Sequence, residues 1–254
     1  MAAYESRAAA TRTALRVTMP EAPSPVASPT SRVERLRYLT FGRAVPAALF
    51  GTLAYLQGVR LFATWGSLSG VVDVAAFVSG ALYLLFIAIP VGIYLTRPMP
   101  RARDGRALPR IAAFGGTTIQ LLVGVLVSNV MHISAGPVLF RSVAVGLPLE
   151  LAAFGLAVYG LLYLRRNLSL IPEARGLVTG GPYALVRHPL YVAEIAAAVG
   201  RTLDEAAVLT IGILVVFIGL QLLRARYEER LLASVFPEYR AYAAGTARLL
   251  PGLW

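Results

Sequence analysis

Runs of about twenty apolar residues, separated by clusters of arginine, decide what this chain can fold into. A helix of that length crosses the hydrocarbon core of a bilayer. Such runs lie at roughly 44–63, 72–95, 111–131 and 138–164, followed by a shorter pair near 189–203 and 206–224. The fifth, "LYVAEIAAAVGRTL", is the shortest and carries Glu194 and Arg201. The arginines set the orientation. Arg32, Arg35, Arg37 and Arg43 precede the first run; Arg97, Arg101, Arg103, Arg106 and Arg110 follow the second; Arg165, Arg166, Arg175 and Arg187 follow the fourth; Arg224 and Arg226 end the sixth. The alternate connections, "TWGSLSG", "HISAGP" and "TLDE", hold no basic residue beyond flanking Arg141 and Arg201. Basic loops stay on the cytoplasmic side. The expected fold is therefore all-α: a polytopic membrane helical bundle of about six membrane helices, the last two a short hairpin, with both termini cytoplasmic.

Composition agrees with that class and removes others. The chain is 57% hydrophobic and 15% charged, whereas soluble domains are about a quarter charged. Its net charge of +11 comes from 24 basic residues, every one an arginine. Those arginines sit between apolar runs rather than on a polar domain, so no nucleic-acid partner is expected; membrane lipids are. With no cysteine, and only His132 and His188, thiol chemistry and a metal centre are not expected. An arginine-only, alanine-rich chain is also what a GC-rich, bacterial genome writes, which points to a bacterial inner or cell membrane. Residues 1–37, rich in Ala, Pro, Ser and Arg, lack the apolar core of a cleaved signal and read as a retained, disordered cytoplasmic tail. Residues 38–254 then form a single membrane domain.

Two blocks break the apolar pattern, both on the cytoplasmic side. In "RGLVTGGPYALVRHPLY", Gly176, Gly180 and Gly181 permit tight turns, and Pro189 suits the first turn of a helix. Arg187 and His188 would then stand at a helix N-terminus, where backbone N–H groups attract anions. Tyr183 and Tyr191 offer aromatic faces to a cation. In "RARYEERLLASVFPEYRAYAAGTARLLPGLW", Glu228 follows Arg224 by one helical turn, as a pair on one face would. Leu231, Leu232, Val235 and Phe236 give an apolar stripe, read as an amphipathic helix on the membrane surface and continued by Tyr239 and Tyr242. Because the fifth and sixth runs form a hairpin, both blocks return to one face and can roof a pocket. Glu150 and Glu194, inside apolar runs, are functional candidates by position. His132 falls in an outer connection.

The sequence "G-P-Y-x-x-x-R-H-P-x-Y", followed by "E-E-x-x-L-x-x-x-F-x-x-Y-x-x-Y", resembles the isoprenylcysteine carboxyl methyltransferase family, grouped with membrane phospholipid methyltransferases. The likeness covers about residues 165–251, which would be the cofactor-binding half. It implies S-adenosylmethionine held between the two blocks, with a lipophilic acceptor arriving from the bilayer. Carried over by position, Leu177, Val178, Tyr183, His188, Pro189 and Tyr191 would line the cofactor. Glu228 or Glu229 would meet its amino or ribose groups, and Arg187 and Arg224 would face the acceptor. Ala193, Glu194 and Ile195 stand where eukaryotic members of the family carry a glycine and then an aromatic. The acceptor by resemblance is an isoprenylcysteine-type carboxylate, which needs no general base, and an arginine can clamp it. A phospholipid amine or a small thiol would need one, with Glu194 or Glu228 as candidates. The readings outside this chemistry are a haem-dependent isomerase, a sensor and a transporter. For the first, His132 and His188 fall on opposite faces.

Overall fold

The computed structural model describes residues 31–122, 137–204 and 206–251. Helix α1 (Arg32–Trp65) is continuous, with a π-helical stretch over Tyr38–Ala44, and α2 (Val71–Thr96) returns antiparallel to it. Helix α3 (Ala107–Leu122) leads out of the described residues; α4 (Val143–Leu164), α5 (Pro189–Asp204) and α6 (Val208–Val235) follow, and a short α7 (Tyr239–Gly245) closes the chain. Among the described residues, four helical stretches, Arg32–Trp65, Val71–Thr96, Val143–Asn167 and Val208–Val235, are long and apolar enough to cross a membrane. The helical bundle is thus as the apolar runs require.

Boundaries differ in two places, and a third lies beyond what is described. The fourth run was expected to be helical from 138, yet Val138–Phe140 form a strand, β2, paired with β4 (Ala206–Ala207). The second half of the third run, 123–131, lies outside the described residues. Residues 31–37, assigned above to the tail, enter α1, with the Ser31 hydroxyl accepting from the Glu34 N–H.

The expected surface helix after the sixth run is instead a continuation of α6. At 28 residues this helix is about 42 Å long, against about 30 Å of hydrocarbon. The surplus of about 12 Å, about eight residues, lets its last two turns, Glu228 to Val235, stand beyond the apolar layer. No helix breaker intervenes before Pro237, and "RARYEERLLAS" is rich in strong helix formers. Leu231 and Phe236, with Tyr239 of α7, bury themselves against Ala102 and Ala174 in a small core on this face.

Helix α5 packs along α4 more extensively than any other pair. Glycines at the crossing allow this. A methyl on Gly200 would lie 2.7 Å from the Gly146 carbonyl oxygen and 2.8 Å from Glu150 Cγ. Glu150, a candidate by its place in an apolar run, is buried here, accepting from Ser79 Oγ at 3.2 Å and lying 3.1 Å from Arg201 Nε. At the opposite end, β1 (Ala102–Arg103) pairs antiparallel with β3 (Glu173–Ala174), fastening the connection after α2 to that after α4. Both arginine-rich connections therefore share one face.

Candidate active site

Three arginines converge on one acid beneath that face. Glu173 Oε1 accepts from Arg103 Nε at 2.7 Å, and Oε2 accepts from Arg175 Nη2 and from Ser169 Oγ, each at 2.6 Å; Arg97 Nη1 is 3.6 Å away. Burial alone would raise the Glu173 pKa, but Arg175 and Arg103 outweigh it and hold the carboxyl below its ordinary range. This ionised hub holds the floor of the site.

The turn before α5 is tight because Gly181 adopts φ +60. A side chain there would meet the Tyr163 ring at 2.5 Å, so glycine is required. Gly176 and Gly180 do not take positive φ. Pro182 and Tyr183 continue in a 3-10 turn over Gly181–Ala184, and Pro189 opens α5 as its first-turn position allows. Burial, then the charge of Glu228, raises the Tyr183 pKa well above its usual value, so its hydroxyl stays protonated.

Just before this helix start the backbone donors of Arg187 and His188 are occupied. The Arg187 N–H donates to the Ala247 carbonyl at 2.8 Å and the His188 N–H to that of Arg248 at 3.2 Å. The Arg187 guanidinium donates to the carbonyls of Ala243 (2.5 Å) and Thr246 (3.1 Å), and its Nε lies 2.8 Å from Glu229 Oε1. Arg248 closes on the same acid with Nε at 3.0 Å from both oxygens. The Tyr242 hydroxyl donates to the Tyr183 carbonyl at 2.6 Å. Arg187, Glu229 and Arg248 thus staple the C-terminal segment over the turn, and Arg187 contributes to neither cavity described below.

Inside this staple lies a second layer. His188, 6% exposed, stacks on Tyr191 with ring centroids 5.2 Å apart, and its Nε2 is 3.3 Å from Glu229 Oε1. Tyr191 donates to Glu228 Oε2 at 2.8 Å, and the Arg224 guanidinium sits 4.9 Å from the Tyr191 ring centre. The pairing of Arg224 with Glu228 expected from their spacing does not form. Arg224 donates to Gln221 Oε1 at 2.7 Å and approaches Glu194 to 3.8 Å, because α5 packed against α6 presents closer partners.

Two cavities meet at this layer. A small polar one is bounded by Ala113, Pro172, Glu173, Tyr191, Arg224 and Glu228. A larger, apolar one is lined between the helices by Phe50, Phe86, Ile87, Leu161 and Leu190, with Glu194 and Arg224 also on its wall. Ser169, Leu170 and Arg224 belong to both walls. Pro90 lines the apolar cavity one turn after Phe86 and removes a backbone donor there.

Of the residues singled out from sequence, Tyr191, Arg224 and Glu228 reach the polar cavity. His188 and Glu229 stand directly behind them. Tyr183 and Pro189 shape the turn. Leu177 packs against the small core under α7, and Val178 is half-buried, in neither cavity wall. Sequence reasoning overlooked Ser169, Glu173, Gln221 and Arg248. An acid isolated in the arginine-rich "IPEARG" was the available signal for Glu173; Gln221 inside an apolar run gave none for its partners.

Fold and site together define a class: a helical membrane protein with a polar, acid-lined site at one face, opening on an apolar chamber between its helices. Residues 142–239, under half of the chain, match the family model described as phospholipid methyltransferase. That family model is part of the group of membrane methyltransferases that also holds the isoprenylcysteine carboxyl methyltransferases. Two curated proteins are similar over part of it. The cobalt-zinc-cadmium resistance protein CzcN of Cupriavidus metallidurans is 40% identical over 78 residues, 30% of this chain and 36% of that protein. The nickel-cobalt-cadmium resistance protein NccN of Alcaligenes xylosoxydans xylosoxydans is 37% identical over 82 residues, 30% of this chain and 37% of that protein. The chain thus spans little more than a third of the length of the relatives it matches.

Proposed function

We propose that this protein is an S-adenosylmethionine-dependent membrane methyltransferase acting on a lipophilic acceptor, with its site at the cytoplasmic leaflet. The observation that carries the reading is the pair of adjoining cavities, one polar and one apolar, joined at Arg224 within the matched stretch. The donor set suits the methyl donor. Glu228, with its side chain 36% exposed, and the Tyr191 ring stand where a cationic amino acid moiety would be held. Bound there, S-adenosylmethionine supplies an electrophilic methyl group. What the chain must add is position and exclusion of water. Ionised Glu173 and its arginines fix the floor, and the stapled C-terminal segment closes the roof. The apolar chamber accepts the hydrocarbon body of the acceptor, which reaches it from the bilayer. By family resemblance the reacting group is an isoprenylcysteine-type carboxylate; a phospholipid amine or a small thiol is the alternative. The resistance named for the two relatives is theirs. Among the described residues no group of three or more His, Cys, Asp or Glu gathers as a metal site, and our reading involves no metal.

Thermal-shift titration of detergent-solubilised protein with S-adenosylhomocysteine tests this. At 100 times its dissociation constant the ligand should stabilise the wild type by about 2.7 kcal/mol. Glu228→Gln should need at least about tenfold more ligand for the same shift. A wild type that never shifts overturns the assignment.

A further inference from the structure

We infer that Glu194 sets the acceptor chemistry: it takes a proton from an acceptor bearing N–H or S–H, and it excludes carboxylic acids from the chamber. This rests on the methyltransferase reading and departs from the carboxylate that family resemblance implies. Glu194 is one turn beyond Tyr191 on α5, on the wall of the apolar chamber. It accepts from Gln221 Nε2, while Gln221 Oε1 accepts from Arg224 Nη1 at 2.7 Å. A carboxylate only accepts and a guanidinium only donates, so a single orientation of the Gln221 amide satisfies both. Gln221, 1% exposed, thereby bridges an acid and a base of opposite charge.

The consequence for an incoming group is direct. An arginine that clamps a carboxylate must have its charge to spare, and Arg224 is already matched by Glu194, 3.8 Å away. A second carboxylate would enter an apolar chamber beside a like charge, which is costly to bury. An ammonium meets the opposite situation: the Glu194 charge stands on the chamber wall, and the rings of Tyr83, Phe86 and Tyr94 line the same chamber. Reaction requires a lone pair. An ammonium gives one proton to a Glu194 oxygen and becomes the neutral amine; a thiol gives one proton and becomes the thiolate. In each case the N–H or S–H bond breaks, its electron pair stays on the acceptor atom, and Glu194 becomes the neutral acid.

The test uses full-length protein in detergent, without methyl donor, and three probes of equal chain length: decylamine, decanethiol and decanoate. Binding to wild type and Glu194→Gln is measured calorimetrically against micelle blanks, and melting confirms that both are folded. Wild type should bind decylamine and decanethiol at least about tenfold more tightly than decanoate. In Glu194→Gln the decylamine preference should vanish and decanoate should gain, since Arg224 has lost its counter-charge. Decanoate binding to wild type as tightly as decylamine, no decylamine binding, or an unchanged order in the variant overturns the inference. Donor binding reports separately: if S-adenosylhomocysteine binds neither protein, the methyltransferase reading fails whatever the probes show.

Discussion

At the scale of single residues, the charges of the face that carries the site are set by what surrounds them. Glu173 is ionised under Arg175, Arg103 and Arg97. Its folded pKa lies below the unfolded one, so its stabilisation is complete above the ordinary carboxylate range and is lost as pH falls through the depressed value. Melting temperatures of wild type should therefore fall as pH drops below the ordinary carboxylate range, and those of Glu173→Gln should fall less steeply there. At neutral pH that variant should be less stable by about 3–5 kcal/mol, because three arginines lose a buried partner. An equally steep acid decline in both proteins would place the dependence elsewhere. Residue identities were legible in the sequence to the extent that both motif blocks do meet, with Tyr191 bonded to Glu228 and His188 beside Glu229. Roles were less so. Arg187 staples a chain end and Arg224 turns toward Glu194, since both choices are made by partners that spacing along one helix does not reveal.

At the scale of elements, the apolar runs located the helices because hydrocarbon leaves the backbone no other partner than itself. Their ends depended on neighbours: β2 exists only through its pairing with β4, and α6 runs on because nothing before Pro237 stops it. Two glycines carry the arrangement that brings α5 to the site. Gly200→Ala would press a methyl into backbone at 2.7 Å and should destabilise the detergent-solubilised protein by about 1–3 kcal/mol. Gly181→Ala combines φ +60 with a ring at 2.5 Å. It should lower the melting temperature comparably and weaken S-adenosylhomocysteine binding, whereas Gly212→Ala, with open space around it, should change neither. Melting curves of the three variants decide this.

At the scale of the whole molecule, arginine placement predicts that the site faces the cytoplasm. The absence of cysteine makes that directly measurable. Single cysteines at Arg103 and Glu238 should react with an impermeant maleimide only when the cytoplasmic side is opened, and one at Ser67 should react in sealed cells. The reverse pattern would turn the molecule over. The helices were the most readable feature because each apolar run reports its own; the two cavities were invisible because they arise between helices far apart in the chain. Their common wall has a consequence for how such a protein diversifies. With Arg224 serving both compartments, selection on one compartment's preference there disturbs the other. New acceptor preferences should therefore accumulate among partners such as Glu194 and in the distant apolar lining, while Arg224 itself stays fixed.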